Sequence, residues 1–429
     1  MSEFPFQPLT EQARKNFRNL YFDIAWFGIL VGSTASFLGI YATRLGASSF
    51  HIGLLSALPA IVNLIVTLPA GRWLEGRPLI WASFWSSVWQ RLGYLAFIPL
   101  PILFIAPVQI FIILGIIFLM SIPGTILPIS FNAVFAEIVP PSWLAYVVGR
   151  RNALSAICLS VVAYLSGVIL DRADFPYNYQ AVFLIGAVGA LMSSVHVGKL
   201  RRDSEPVPPI EHPIKDLLVG GFFRFFTDFC RVPRYLSPRQ EGKPLVRFDL
   251  LRGPFGLFMA SYFFFYTFQF APFPLLPPYF VHDLGLSDGQ ISLGTAIFHF
   301  TVMAVSLRLG WISARLGHRR VLVWGGILFG FYPVLIYLAR WAELYWVASL
   351  FGGMIWALLA GGLINRLMER VPVSDRPAHM ALHNMALNLG ILAGSLLGPL
   401  LGDWLGMRNA ILSTAFMRVI AGFMFLLWG

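Results

Sequence analysis

Charge is scarce in this chain. Only 12% of its 429 residues are Asp, Glu, Lys or Arg, while 57% are hydrophobic. A soluble interior cannot hide that much apolar surface, because a water-exposed fold needs polar faces. Cysteine is nearly absent: Cys158 and Cys230 are the only two. They offer neither a disulfide framework nor the spacing of a metal site. Enzyme signatures are missing as well. There is no GxxxxGK(S/T), no HExxH and no convincing Ser-His-Asp spacing, and His and Asp are sparse and scattered. The opening stretch, MSEFPFQPLTEQARKNFRN, lacks the apolar core and cleavage site of a signal peptide. Acids are outnumbered, 20 against 31 Lys and Arg, giving a formal charge of +11. In a soluble protein that excess points to nucleic acid. In a membrane protein it marks loops held at the cytoplasmic face, and no nucleic-acid partner is expected.

Long apolar runs, by contrast, abound, and the mean hydropathy is +0.72. A run of about 20 apolar residues crosses a hydrocarbon layer about 30 Å thick. Twelve such spans are predicted, near 20–43, 50–71, 79–101, 108–134, 151–170, 178–198, 254–280, 288–309, 321–339, 344–365, 378–401 and 408–428. They are expected to be helices, since backbone groups in lipid need partners within the segment and no alternating barrel pattern occurs. The expected fold is an all-α membrane protein of two six-helix bundles, residues 1–198 and 254–429. A linker, 199–253, joins them. It holds EPVPPIEHP (205–213) and then IKDLLVGGFFRFFTDFCR (214–231). The second stretch mixes five Phe with charges and reads as an interfacial amphipathic helix.

Orientation follows from Lys and Arg. With both termini on the cytoplasmic side, 25 of the 31 fall in inner segments. Only Arg44, Arg172, Arg340 and Arg408 lie outside, and Arg91 and Arg418 sit within spans. That asymmetry predicts a multi-pass protein of the cytoplasmic membrane. GWISARLGHRR (310–320), a cationic stretch between two apolar spans, then becomes a cytoplasmic turn.

The halves repeat. GRWLEGRP (71–78) echoes GWISARLGHRR, with Gly71 and Gly310 in matching places. LGASSFHIGLL (45–55) pairs with LGLSDGQISLG (284–294) at the same offset, matching Gly46 with Gly285, Ser48 with Ser287 and Ile52 with Ile291. Further on, Glu137 pairs with Glu369, Pro140 with Pro372, Asn152 with Asn384 and Asp171 with Asp403. Recurrence at fixed offsets indicates duplication of a six-helix unit, the plan of one large transporter class.

On these residues the sequence resembles the major facilitator superfamily, which carries a GxxxDRxGRR turn after helix two and a weaker copy after helix eight. Here the stronger copy is the second. GWISARLGHRR keeps Gly310, Arg315, Gly317 and the basic end with Arg319, but has Ala314 at the acidic place. The first copy has Glu75 there, beside Arg72. The resemblance implies a monomer that rocks about a central site, with these turns as a cytoplasmic gate. Glu75 would dock on the positive end of helix eleven near His379. Arg315 and Arg319 would pair with Glu137, and Arg72 with Glu369, while Gly would let backbones approach closely. The plainer alternative is that these arginines anchor topology.

Ionisable groups inside a membrane are costly and mark candidate sites. Asp23, early in the first span, is the proton-coupling candidate; its alternative is an interfacial acid at a helix start. Arg91 and Arg418 lie near the midplane. Each is either a substrate anchor or a structural arginine bonded to backbone carbonyls or to Asp23. The resemblance implies that helices one, four, seven and ten line the path, with two, five, eight and eleven as gates. Their polar residues are mostly neutral: Asn63, Gln269, His299, Asn384 and Asn388, with Tyr262, Tyr266 and Trp356 as aromatic walls. A neutral aromatic path suits an uncharged or amphipathic organic solute. GILAGSLLGPLLGD (390–403) resembles an antiporter motif, but its small residues at every fourth place are expected to serve packing. The function expected is secondary transport by alternating access, with no cofactor beyond a proton gradient. Proton-coupled export leads, followed by uptake of a neutral nutrient, and then a non-transporting sensor or assembly factor.

Overall fold

The computed structural model describes residues 9–202, 247–372 and 375–429. The expected amphipathic helix at 214–231 lies outside the described residues. No strand occurs among them, and twelve helical spans do. In the first half these are α1 (Glu11–Arg44), α2 (Ser49–Leu74), α3 (Leu79–Phe97), α4 (Ala106–Ile138), α5 (Leu144–Arg172) and α6 (Tyr177–Gly198). In the second they are α7 (Pro254–Phe270), α8 (Asp288–Ser306), α9 (His318–Leu338), α10 (Ala342–Arg370), α11 (Arg376–Leu405) and α12 (Met407–Trp428).

Ten of the twelve are long and apolar enough to cross a membrane. The other two depart for visible reasons. Gln90, Arg91 and several serines dilute α3. α7 stops at Phe270, where Pro272 and Pro274 follow, then resumes through Leu276–Pro278 and Tyr279–Asp283. Proline supplies no N–H and clashes with the preceding turn, so a break there is expected. α9 is likewise two pieces, His318–Leu328 and Phe331–Leu338. GWISARLGHRR is not simply a turn. It contains a short helix, Leu309–Leu316, and the chain reverses at Gly317, whose φ of 79° lies in the left-handed region that favours glycine.

The sequence repeat is visible in the backbone. Gly46 and Gly285 both take positive φ, and two residues on, Ser48 caps α2 and Ser287 caps α8. In each case the serine hydroxyl accepts an otherwise orphaned helix N–H.

Within the first half, α1 packs on α5 and α6, and α3 and α2 pack on α4. Within the second, α7 packs on α11 and α12, and α9 and α8 pack on α10. Between the halves the chief contacts are α5 with α8 and α2 with α11. These two pairs exchange under the pseudo-two-fold that relates the halves. The α5–α8 pair is tight: a Cβ on Gly167 would fall 1.7 Å from Ser292 Oγ. Small residues allow this approach. The glycine stripe of α11 does the same for α7, as expected from sequence. A Cβ on Gly398 would meet Ala271 O at 2.0 Å, and one on Gly394 would meet Thr267 O at 2.3 Å.

Candidate functional site

The α2–α11 contact carries a chain of uncharged polar groups from one half to the other. Thr125 on α4 donates to Asn63 Oδ1 at 2.6 Å. Asn63 Nδ2 donates to Asn388 Oδ1 at 3.1 Å. Asn388 Nδ2 in turn donates to Asn384, at 2.8 Å to its backbone oxygen and 3.2 Å to its side chain. The i, i+4 spacing of Asn384 and Asn388 sets them on one face of α11, and α2 brings Asn63 opposite. Each amide therefore has a partner, which matters most for Asn388, the buried one of the three. Immediately before Asn384, His383 Nε2 shares a hydrogen bond with Tyr266 Oη at 3.0 Å, and its ring meets that of Tyr262 edge-on. Sequence reasoning passed over Thr125 and His383. Their only signal was spacing against residues on other helices, which a single chain does not display.

The remaining candidates on the path take no part in this chain of hydrogen bonds. Tyr262 donates to Leu363 O at 2.7 Å and is fully buried, so it ties α7 to α10. Gln269 accepts from Arg418 through its backbone oxygen at 3.1 Å, while its own side-chain oxygen is buried with no partner among the described residues. Arg418 thus takes the structural role, with its guanidinium over the Phe329 ring. Trp356 lies against the same Phe329. His299 sits half-buried on α8 beside Phe298.

Asp23 and Arg91 come together, with a third member that the sequence did not flag. Asp23 Oδ2 accepts from Arg151 Nη2 at 3.1 Å, and Oδ1 lies 3.8 Å from Arg91 Nη2. Ser193 also donates to Asp23. Arg91 reaches Ser194 as well, at 3.3 Å. Arg151 was counted among the topology-setting charges because it stands at a span boundary. The packing of α5 on α1 carries it inward instead.

At the end of the bundle away from the basic loops, the halves are clasped. Arg44 Nη2 donates to Asp288 Oδ1 at 2.9 Å and to Leu286 O at 3.0 Å. Tyr179 Oη donates to Asp288 Oδ2 at 2.6 Å. Asp171 accepts from Ser287 Oγ and from Gly289 N, both at 2.9 Å. Three side chains of the first half therefore converge on the first turn of α8, where the positive end of the helix favours carboxylates. An apolar cluster lies behind them, bringing Phe37 and Tyr41 together with Tyr279, Phe280 and Tyr345. Arg44 was one of only four cations expected on the sparse side, a hint that it serves something other than topology.

The residues assigned to the gate adopt other pairings in this conformation. Glu137 pairs with Arg202 at 2.7 Å, not with Arg315 or Arg319. Glu369 pairs with Arg366 at 2.9 Å and approaches His318, within its own half. Arg315 stacks on Trp311, and Arg319 donates to Leu426 O. His379 is buried and donates from Nδ1 to Asp375 O. Arg72 and Glu75 stand at the end of α2, and both have interaction partners. The expectation of close packing at Gly71 and Gly310 fails, because nothing lies within 4 Å of a Cβ built on either. Glycine is required nearby at Gly76 and Gly317, where φ is 74° and 79°. Before α7, Arg247 pairs with Asp375 and, through a hydrogen bond, holds the exposed Asp249 carboxyl below its ordinary range.

Two six-helix halves thus meet at α2–α11 and α5–α8, with a neutral crossing in the first seam and a clasp near the rim of the second. Solved structures share the overall fold. A variant of the nucleoside transporter NupG aligns with a TM-score of 0.66 over 96% of this chain and 99% of its own, at 13% identity. A POT family transporter in complex with 5-aminolevulinic acid aligns at 0.65 over 96% and 94%, at 14% identity. No curated protein matches in sequence. The sequence profile of the Major Facilitator Superfamily matches residues 24–260 and 258–429, and with duplicated halves arranged in this way the chain belongs to that superfamily and to its transporters, not to the enzymes.

Proposed function

We propose that the protein carries a small, uncharged or amphipathic organic solute across the cytoplasmic membrane by alternating access, as a monomer with both termini on the cytoplasmic side. The observation that supports this most is the Thr125–Asn63–Asn388–Asn384 chain. It joins the halves through amides and a hydroxyl, without a formal charge, and Tyr266 lies close by. Amides can exchange their mutual bonds for bonds to a solute at little net cost. A charged solute would find no counter-charge there. Nucleosides, carried by one protein of the same fold, are among the solutes to try first.

The test is flux of uncharged solutes into proteoliposomes. Asn63→Ala and Asn388→Ala are each expected to raise KM about 5- to 15-fold, the worth of one to two hydrogen bonds. The double variant should be little worse than either single, because the two residues act as one unit. Unchanged KM in both would sink the assignment. Absence of any solute flux from the native protein would leave a non-transporting member of the fold.

Coupling to protons rests on Asp23, and the leading direction is export in exchange for protons. Asp23→Asn is then expected to abolish the proton movement that accompanies solute, measured as internal pH, while downhill solute flux continues. Equal flux in both proteins without proton movement returns Asp23 to a structural role and favours facilitated uptake of a nutrient.

A further inference from the structure

Inside the first half lies a cavity of about 290 Å³ that shares no wall with α2 or α11. Asp23, Arg91, Gln90 and Arg151 line its inner end, and Pro128 and Asn132 of α4, both exposed, line its mouth. The charges at the inner end do not balance. Two guanidiniums face one carboxylate, and that carboxylate is already engaged by Arg151, Arg91 and Ser193. Of the other acids at this end of the half, Glu137 is committed to Arg202 and Glu11 to Lys15, and neither they nor Glu75 line the cavity. Arg91 is only 4% exposed. The Nε–H groups of Arg91 and Arg151 are both buried with no acceptor among the described residues.

Such an arrangement is expensive. A buried cation without an opposite charge costs several kcal/mol, and each unmade donor adds to this. Water could fill the donors, but it would leave the extra positive charge in place. The faces of the guanidiniums are covered, Arg151 by Phe131 and Phe135 and Arg91 by Phe27. What remains are the edges, where Nε–H and Nη–H form the planar fork that matches a two-oxygen acceptor. The volume is at the small end of the range for ligand pockets.

We propose that this cavity binds a small monovalent carboxylate, held edge-on by Arg91 and Arg151, as a second ligand separate from the α2–α11 crossing. The bound anion brings the cluster to neutrality and supplies acceptors to the guanidinium edges that line the cavity. Gln90 and Asn132 offer amide donors for the rest of a short organic acid.

The experiment titrates sodium acetate into the purified full-length protein in detergent, replacing chloride at constant ionic strength, and follows thermal unfolding by tryptophan fluorescence. The native protein is expected to show a saturable rise in Tm, and so is the surface control Arg320→Gln. Arg151→Gln should lose the response. Arg151→Lys keeps the charge but not the fork, and should fold with a Kd weakened about tenfold or more. Asp23→Asn removes the competing carboxylate and should tighten Kd several-fold. No saturable rise in the native protein, a rise of equal size in Arg151→Gln, or an equal response when chloride is the ion titrated would each overturn the proposal.

Discussion

Asp288→Ala is expected to open the clasped end of the bundle. The carboxylate of Asp288 is the one acceptor shared by Arg44 and Tyr179, and it is largely buried. Removing it takes from Arg44 and Tyr179, both of the first half, their shared acceptor on the second, and leaves Arg44 only Leu286 O there. Breaking a buried pair costs about 3–5 kcal/mol, but Arg44 keeps partial contact with water, which lowers the figure to about 2–3 kcal/mol. That shifts the ratio of clasped to open molecules roughly 30- to 150-fold, enough to populate the open form substantially. Spin labels at Asp174 and Arg340, both exposed at this end and on opposite halves, should report a longer distance in the variant. Tyr179→Phe removes a single hydrogen bond and should move the distribution in the same direction by less. An unchanged distance distribution in Asp288→Ala would show that the apolar cluster and the Asp171 bonds hold this end shut without the Asp288 carboxylate.

The second large effect is expected at Gly398. Even an alanine there places a methyl group 2.0 Å from Ala271 O, a backbone atom that cannot rotate away. α7 and α11 must then separate along the whole glycine stripe, with loss of the contacts at Gly390 and Gly394 as well. Overpacking of a tight site costs about 1–3 kcal/mol and occasionally more, and the upper end applies where backbone must move. Gly398→Ala should therefore lower the unfolding temperature clearly. Gly310→Ala is the contrast, because open space surrounds that residue inside a short helix. Its expected change is nil or a slight stabilisation, about 0.5–1 kcal/mol, since alanine is the better helix former. If the two variants unfold alike, glycine packing is not what holds α7 to α11.

The contrast between these glycines bears on what a sequence can disclose. The spans were legible because apolar runs of sufficient length have few other uses, and the duplication was legible because Ser48 and Ser287 keep the same capping task. Asn384 and Asn388 could be placed on one face by counting. That Asn63 would meet them could not be counted, since it depends on how α2 crosses α11. Arg151 shows the same limit. Its place at a span boundary fits a solvated charge, and only the approach of α5 to α1 reveals that it points inward at Asp23. Gly310 misled for the opposite reason, because a motif position was credited with packing that the chain achieves elsewhere. Pairwise chemistry between distant helices is written in crossing angles and register, and neither is a property of any one segment.

The duplicated helix starts have also diverged in use. Ser287 and Gly289 are grasped from the other half by Asp171, whereas Ser48 shares its hydroxyl with its own neighbour His51 at 2.8 Å. Asp403, the counterpart of Asp171, makes no matching bond among the described residues. Two copies that began alike have thus become a buckle and a pivot. The α5–α8 seam must undo discrete ionic and capping bonds at its rim before it parts. The α2–α11 seam carries its polar joint near the centre and can turn about it. Under the alternating access proposed above, the two seams would therefore not part against equal resistance, although the two halves descend from one design.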